Sequence, residues 1–183
     1  LVIDIVGLQE RRIVRVFDFG VEGDLPFYVM ELLEGMDARH ALREQKPSIR
    51  EICTWLRDCA SALALIHSRR MVHRDVSPRN LWCTPDGRAK LIDFGVVAPM
   101  GSTKLLVGTP PCVAPESIHL QSLDGRTDLF SLGATLYFAL VGHHAFPATR
   151  FSELPELWRR GILRPSAEIS DIPDGVYSFT DHI

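Results

Sequence analysis

The chain has 183 residues, enough for one domain or a large part of one, and its 46% hydrophobic and 23% charged content is ordinary for a globular protein. A net charge of −3 gives no reason to expect nucleic acid or an anionic membrane as a partner. The four cysteines lack the spacing of a zinc site or a disulfide framework, so reduced thiols and a cytoplasmic location are expected. The sequence shows no signal peptide, no internal repeat and no apolar run long enough to span a bilayer.

Two apolar runs near the start of the chain predict strands. Ile13 to Phe19 and Pro26 to Leu33 are separated by a turn-rich segment, residues 20–24, and would pair across it. Leu1 to Gln9 is apolar but too short for its periodicity to distinguish helix from strand. The triplet Asp18-Phe19-Gly20 is interpreted as the end of the first strand followed by a turn.

Helices are predicted over much of the rest. Asp37 to Gln45 predicts a short helix, and Ser48 with Glu51 forms a capping box at the start of a longer one. Apolar residues recur on one face of the longer helix, which predicts packing on a core: Trp55, Leu56, Cys59, Leu63 and Ile66. Leu129 to Val141 is apolar almost all round, as in a buried helix. Further elements are predicted at Leu154 to Arg160 and from Gly175 to Ile183.

The stretch from Val72 to Gly95 carries the chemistry. Asp86-Gly87 between two short apolar runs predicts a tight hairpin turn in which both central residues take positive φ. The hairpin would hold Asp75 and Asn80, which precede it, beside Asp93, which follows it. Oxygen-rich side chains that converge in this way can hold Mg²⁺ beside a phosphate and accept a proton from a hydroxyl.

Three motifs occur in order: His73-Arg74-Asp75 with Asn80, Asp93-Phe94-Gly95, and Ala114-Pro115-Glu116. This set resembles the catalytic core of the eukaryotic-type protein kinases, and the H-R-D-V-S-P loop is similar to loops of some bacterial members. The resemblance implies an α+β, kinase-like fold with a mostly helical C-lobe, a short catalytic β-hairpin and a partial β N-lobe. Residues 1–33 would be the remnant of the N-lobe and the hinge, and residues 34–183 the C-lobe, truncated before its last helices.

The same resemblance implies transfer of the γ-phosphate of ATP, with Mg²⁺, to Ser or Thr hydroxyls of protein substrates. Asp75 would accept the hydroxyl proton, while Asn80 and Asp93 would hold Mg²⁺ on the phosphates. Thr109, in a Gly-Thr-Pro-Pro segment that resembles that of serine/threonine kinases, would orient Asp75. Arg79 would supply positive charge near the γ-phosphate, with an ordinary surface arginine as the alternative.

An adenine pocket is also implied. Met30 would guard its back, and backbone groups from Glu31 to Leu33 would meet the adenine edge. Trp82 stands where the family usually has a small or branched apolar residue, and would either stack on the base or fill the pocket.

Four residues would have supporting roles by the same resemblance. His73 and Phe94 would link the catalytic loop to the body of the domain, and Asp128 would accept hydrogen bonds from the loop backbone. Glu116 normally pairs with an arginine near the end of the domain, and is expected to lack a partner in this chain.

Arg74 resembles the arginine that binds a phosphorylated activation loop. Ser102 and Thr103 are the candidate phosphorylation sites, because a phosphate there would accept charge-assisted hydrogen bonds and order the loop. A plain flexible loop is the alternative.

The sequence departs from the family pattern in ways that leave a second hypothesis open. No Gly-rich loop and no Val-Ala-Ile-Lys strand is present, and Ser77 replaces the lysine usual two residues after the catalytic aspartate. We therefore expect the 183 residues alone to have weak or no activity. The alternative function is a catalytically inactive, kinase-like module that binds a protein partner.

Overall fold

The computed structural model describes residues 10–161, so the predictions for Leu1 to Gln9 and for Gly175 to Ile183 lie outside the described residues. Its elements in chain order are β1 (Val16–Glu22), β2 (Leu25–Met30), β3 (Met36–Asp37), α1 (Ala38–Glu44), α2 (Ile49–Ser68), β4 (Met71–Val72), β5 (Leu81–Cys83), β6 (Ala89–Leu91), β7 (Ala98–Pro99), β8 (Gly101–Ser102), α3 (Pro115–Ile118), β9 (Ser122–Leu123), α4 (Gly125–Val141) and α5 (Leu154–Arg160).

The helices α2 and α4 form the centre of the core. The predicted capping box is confirmed: the Ser48 side chain accepts from Glu51 N–H, and the Glu51 carboxylate accepts from Ser48 N–H. The apolar face predicted for α2 is buried along its whole length. Helix α4 is buried on most sides and ends at Gly142, whose φ of 87° is the left-handed cap that glycine adopts without strain. Within residues 10–161, no helix is long and apolar enough to cross a bilayer.

Strands β1 and β2 form an antiparallel ribbon at the N-terminal end, as predicted. The prediction that Asp18-Phe19-Gly20 ends a strand is wrong, since β1 continues to Glu22 and the turn follows it. Large apolar side chains are exposed on both strands: Phe17, Phe19, Val21, Leu25, Phe27, Val29 and Met30. Ile13, predicted to lie in β1, instead makes an isolated parallel bridge to Leu91 of β6.

The predicted hairpin is confirmed, with β5 and β6 antiparallel and β3 on the outer side of β5. Its turn differs from the prediction, because only one residue of the Asp86-Gly87 pair has a positive φ, namely Gly87 at 76°. Gly87 N–H donates to Thr84 O at 3.0 Å, and Thr84 N–H donates to Arg88 O at 2.9 Å. A negative-φ residue followed by a left-handed glycine makes a type I turn with a glycine bulge, which needs only one positive φ.

Asp58 of α2 fixes the hairpin to the helical body. Its buried carboxylate accepts from Arg88 Nε at 2.8 Å, from Arg88 Nη2 at 2.7 Å and from Ala89 N–H at 3.3 Å. Burial by itself would raise the pKa of Asp58, but the hydrogen bonds from Arg88 and Ala89 outweigh it and the pKa is lowered. The carboxylate is therefore the stable form, and it sets the distance between α2 and β6.

Candidate active site

Asp75 lies at the centre of a short hydrogen-bond network. Its Oδ1 accepts from Thr109 Oγ1 at 2.7 Å, and its Oδ2 accepts from Asn80 Nδ2 at 2.8 Å. Asn80 Nδ2 also donates to the Asp75 carbonyl at 2.9 Å. The side chain of the proposed base is thus fixed from two sides by the two residues that the sequence analysis placed with it.

Asn80 and Asp93 are brought together by the hairpin. Ile92 N–H donates to Asn80 O at 2.9 Å, which places Asp93 one residue from that contact. Both donors on Asn80 Nδ2 are used on Asp75, so the amide oxygen is the atom left to face a cation. Asp93 is exposed and has a φ of 60°, and its Oδ1 accepts from Gly95 N–H at 3.2 Å. An amide oxygen beside a carboxylate is a hard-oxygen donor set that fits Mg²⁺.

Asp128 binds the backbone of the loop that carries Asp75. Its fully buried carboxylate accepts from His73 N–H at 2.8 Å and from Arg74 N–H at 2.9 Å, and His67 Nε2 lies 2.8 Å from its Oδ2. Arg74 has a φ of 69°, an unfavourable conformation for a non-glycine residue. The two N–H groups converging on one carboxylate stabilise that conformation.

His73 packs against Phe94 in an edge-to-face contact, with ring centroids 5.1 Å apart. Burial lowers the pKa of His73, although the carboxylates of Asp128, Asp75 and Asp93 oppose the effect. A neutral imidazole inside the core is suited to packing, and its Nδ1 accepts from Asp75 N–H at 3.3 Å.

The loop before the 3₁₀ turn at Pro110–Cys112 passes very close to the catalytic loop. Gly108 has a φ of 111°, and a Cβ built on it would lie 2.6 Å from Arg74 O. Only glycine fits there, and this close approach places Thr109 within reach of Asp75.

Arg74 also contacts the segment after Asp93-Phe94-Gly95. Its Nε donates to Val96 O at 2.6 Å, and its Nη1 donates to Thr103 Oγ1 at 3.1 Å. Ser102 instead lies in β8, paired with Ser122 of β9. Of the two candidate phosphorylation sites, Thr103 is the one that Arg74 already contacts.

The hinge residues are held by contacts that the sequence did not predict. Glu31 forms an ion pair with Lys90 of β6 and accepts from Arg15 N–H at 2.8 Å. Glu31 N–H donates to Arg15 O at 2.9 Å, so this donor is not available to adenine. Trp82 Nε1 donates to Glu34 O at 3.0 Å, which ties the indole to the hinge. Met30, at the end of β2, is 44% exposed.

Glu116 has a partner, contrary to expectation. Its Oε1 accepts from Thr127 Oγ1 at 2.7 Å, a contact between α3 and α4. The Thr127 hydroxyl, in the first turn of α4, therefore binds a carboxylate that was expected to pair with an arginine.

Ser77 and Arg79, the departures within the catalytic loop, point in opposite directions. Ser77 is fully buried, and its hydroxyl makes no hydrogen bond within the described part of the chain. Arg79 is exposed and lines a cleft of about 340 Å³ together with Thr109. Arg79 therefore lies on the outer side of the loop, next to the residue that contacts Asp75.

Sequence reasoning missed His67, Lys90 and Asp58. Each makes its main contact across at least 30 positions of the chain, with Asp128, Glu31 and Arg88 respectively. No local pattern reports such pairs. The one available signal was a charged residue, Asp58, on the otherwise apolar face of α2.

The family is shown by comparison with known proteins. The model of the protein kinase domain matches residues 5–172 of this chain. The chain therefore belongs to the protein kinase family, and its α+β architecture of helices and small sheets is that of a kinase-like fold.

Among named relatives, the chain is similar to serine/threonine-protein kinase PknL of Mycobacterium tuberculosis, 36% identical over 178 residues that cover 92% of this chain and 44% of PknL. It is also similar to human serine/threonine-protein kinase ULK3, 31% identical over 82% of this chain and 33% of ULK3. With PknB of Mycolicibacterium smegmatis it is 30% identical over 76% of this chain and 24% of PknB. The chain thus spans less than half the length of these relatives.

Proposed function

We propose that this chain is the greater part of the catalytic domain of an ATP-dependent serine/threonine protein kinase. The observation that carries the proposal is the Asp75 carboxylate, held by Thr109 on one oxygen and by Asn80 on the other. The names of the relatives, which are serine/threonine-protein kinases from bacteria and from man, support the choice of hydroxyl acceptor. Residues 1–33 are assigned to the end of the N-lobe and the hinge, and residues 34–183 to the C-lobe.

Asp75 is the group that accepts the proton of the acceptor hydroxyl. Thr109 and Asn80 leave its carboxylate one orientation, so the proton acceptor is positioned before substrate arrives. Asn80 and Asp93 would hold Mg²⁺, which when bound neutralises charge on the transferring phosphoryl group. Within residues 10–161, no cluster of three His, Cys, Asp or Glu side chains could hold a metal unaided. Nucleotide and water oxygens would therefore complete the coordination.

The adenine would lie between the hinge and β5. Met30 borders the pocket, the backbone from Glu31 O to Leu33 supplies its polar edge, and the ring of Trp82 covers its floor. Because the Trp82 indole nitrogen is already bonded to Glu34 O, the ring is fixed in place and can offer its face to the base.

Arg74 and Thr103 form the proposed regulatory contact. A phosphate on Thr103 would replace one neutral hydrogen bond to Arg74 with a charge-assisted pair and order the segment around β8. All four cysteines are free thiols, which supports the proposed cytoplasmic location of the domain.

The inactive-module hypothesis rested on Ser77, Trp82 and the expectation that no lysine strand is present. The intact network around Asp75 favours the kinase, because an inactive partner-binding module has no need to orient a proton acceptor. Arg79 keeps the role that it has by resemblance, a positive charge toward the γ-phosphate.

The test uses the full-length protein with MgATP and a protein substrate. Asp93→Asn should abolish Mg²⁺-dependent nucleotide binding, whereas Asp75→Asn should retain nucleotide binding and lose phosphotransfer by a factor of about 10³. Asp24→Asn, which neutralises an exposed carboxylate in the β1–β2 turn, is the matched control and should change neither.

Phosphoamino acid analysis of the product then distinguishes serine and threonine from tyrosine. Phosphotransfer that survives Asp75→Asn unchanged, or nucleotide binding that is absent from the unmodified protein, would contradict the proposal.

A further inference from the structure

A cationic cleft opens directly beside the proposed acceptor site. One part, of about 340 Å³, is lined by Arg39, Arg79 and His144 together with Thr109 and Thr149. Thr109 is the residue whose hydroxyl binds Asp75 at 2.7 Å. Anything lying in this cleft is therefore adjacent to the proton acceptor.

The cleft continues into a second cavity of about 750 Å³, which shares Arg39, His144 and Pro147 with the first. The second cavity adds further cationic side chains, Arg43 and Lys46, from the end of α1 and the loop after it. Among the described residues 10–161, no aspartate or glutamate lines either cavity. This is a local excess of positive charge on a chain whose net charge is −3.

Within residues 10–161, neither Arg39 nor Arg79 forms an ion pair with a carboxylate. The nearby carboxylate at the head of α1, Asp37, is engaged with His40, whose Nδ1 lies 2.6 Å from its Oδ2. Arg39 N–H donates to Pro78 O at 3.2 Å, which fixes the start of α1 against the residue that precedes Arg79.

The pKa of His144 reflects the positive charge in this cleft. Burial lowers its pKa, and the charges of Arg39, Arg79 and the neighbouring His143 lower it further. Its ring stacks on Phe138 with centroids 4.5 Å apart, and its buried Nδ1 makes no hydrogen bond in the described part of the chain.

We propose that this cleft selects anionic phosphoacceptor segments, in which acidic side chains flank the serine or threonine and bind Arg39 and Arg79. The inference deepens the proposed kinase function and rests on it. Guanidinium groups bind carboxylates and phosphates through paired hydrogen bonds, so the anion would be supplied by Asp or Glu or by a phosphoserine already present in the segment. Basic segments would be repelled.

The experiment measures kcat/KM of the full-length kinase on peptides that share one threonine and differ only in the flanking residues. Four sets carry Asp, phosphoserine, Ala or Lys, each placed on the N-terminal or the C-terminal side of the acceptor. We expect at least one anionic set to exceed the Ala set by about tenfold and the Lys sets to fall below it, with the difference shrinking as salt is raised. A greater gain for phosphoserine than for Asp assigns the cleft to previously phosphorylated substrates, and the reverse assigns it to carboxylates.

Charge reversal locates the effect. Arg39→Glu should remove the advantage of the anionic peptides and raise kcat/KM on the Lys peptides, with the Ala peptides changed less than about threefold. Arg57→Glu, on the exposed face of α2 away from the cleft, is the control with the same charge change and should leave the ranking intact. Arg39→Gln repeats the test without a new charge, and thermal melting confirms that each variant is folded.

Arg79→Glu separates the two roles of that residue. If Arg79 serves the peptide, only the anionic sets lose rate, whereas a charge toward the γ-phosphate would lower kcat for all peptides equally. Two results would overturn this inference while the Ala peptides are still phosphorylated: equal kcat/KM for all peptide sets, or a ranking of the sets that Arg39→Glu does not change. Either result leaves the kinase function standing. Absence of transfer to every peptide, and of autophosphorylation, overturns both.

Discussion

At the scale of single residues, the site depends on one side chain holding another in place. Thr109 acts on the proposed proton transfer through Asp75, to which it donates at 2.7 Å. It is therefore a positioning residue, and its removal should alter the orientation of the proton acceptor without altering substrate binding.

Thr109→Val, which keeps the shape and removes the hydroxyl, should lower kcat by about 100-fold with little change in KM for ATP or peptide. Thr109→Ser keeps the hydroxyl and should recover most of the rate. Steady-state kinetics of the two variants of the full-length protein is the measurement. Equal losses in both would mean that the hydrogen bond has no part in positioning Asp75.

Gly108 provides a second prediction at this scale. Gly108→Ala combines a positive φ with a Cβ 2.6 Å from Arg74 O, so it should destabilise the protein or displace the loop, by about 2 kcal/mol or more. Gly101→Ala is the matched control, because Gly101 also has positive φ, 129°, but has no atom within 4 Å of its Cβ. Thermal melting should show the larger decrease for Gly108→Ala, and equal decreases would exclude a steric cause.

At the scale of elements, the hairpin β5–β6 brings the proposed catalytic residues together, and α2 fixes the hairpin. The buried Asp58 carboxylate connects the two through Arg88 and Ala89 N–H. Because Ala89 begins β6 and Asp93 follows its end, a loosened β6 would move the proposed magnesium ligand.

Asp58→Ala should lower the free energy of unfolding by about 2–3 kcal/mol, since it leaves the Ala89 N–H without its acceptor and removes the partner of Arg88. Glu156→Ala also removes an arginine partner, Arg160, but that pair is exposed, so its ion pair should contribute less than about 1 kcal/mol. Denaturant unfolding of both variants, followed by circular dichroism, checks the difference. A loss for Asp58→Ala no larger than that for Glu156→Ala would contradict the anchoring role.

The same carboxylate predicts a pH dependence. The pKa of Asp58 is lowered in the folded protein, so its contribution to stability is complete above the pKa of an unfolded aspartate, about 3.9, and is lost as pH falls through the lower folded pKa. The unfolding free energy of the wild type should therefore fall more steeply than that of Asp58→Asn below about pH 4. Parallel curves would show that Asp58 is not coupled to folding in this way.

At the scale of the whole molecule, the β1–β2 ribbon contrasts with the core around α2 and α4. Antiparallel partners share a face of the ribbon, so Phe19 opposite Tyr28 and Phe27 opposite Gly20 lie on different faces. Phe19 and Phe27 are 44% and 48% exposed, so apolar surface is open on both sides. Ribbons of this composition are covered in a complete globular protein.

We expect the isolated 183-residue chain to bind a hydrophobic dye at this ribbon. Replacing Phe19 and Phe27 together by Thr should remove most of the fluorescence, whereas Leu105→Thr, which changes a 60% exposed residue elsewhere, should not. The full-length protein should bind little dye, because further chain would cover the ribbon. Strong dye binding by the full-length protein would contradict that expectation.

The sequence by itself determined the family and the elements that carry the motifs, because these are written in short-range patterns. Thr109, 34 positions from Asp75, was assigned to it by the resemblance to serine/threonine kinases and not by a local pattern. The capping box at Ser48, the hairpin at Gly87 and the buried face of α2 depend on residues within one turn or one period of each other. Local backbone preference and hydrophobic periodicity are sufficient to predict such features.

Only the tertiary structure decided which residues support those motifs and which surround them. Asp58 with Arg88, Glu31 with Lys90 and Thr127 with Glu116 meet because packed elements bring distant positions together. The cationic cleft is of this kind as well, since Arg39, Arg79 and His144 come from three separate segments. Charge at such a surface is a sum over neighbours in space, which no local window of the sequence contains.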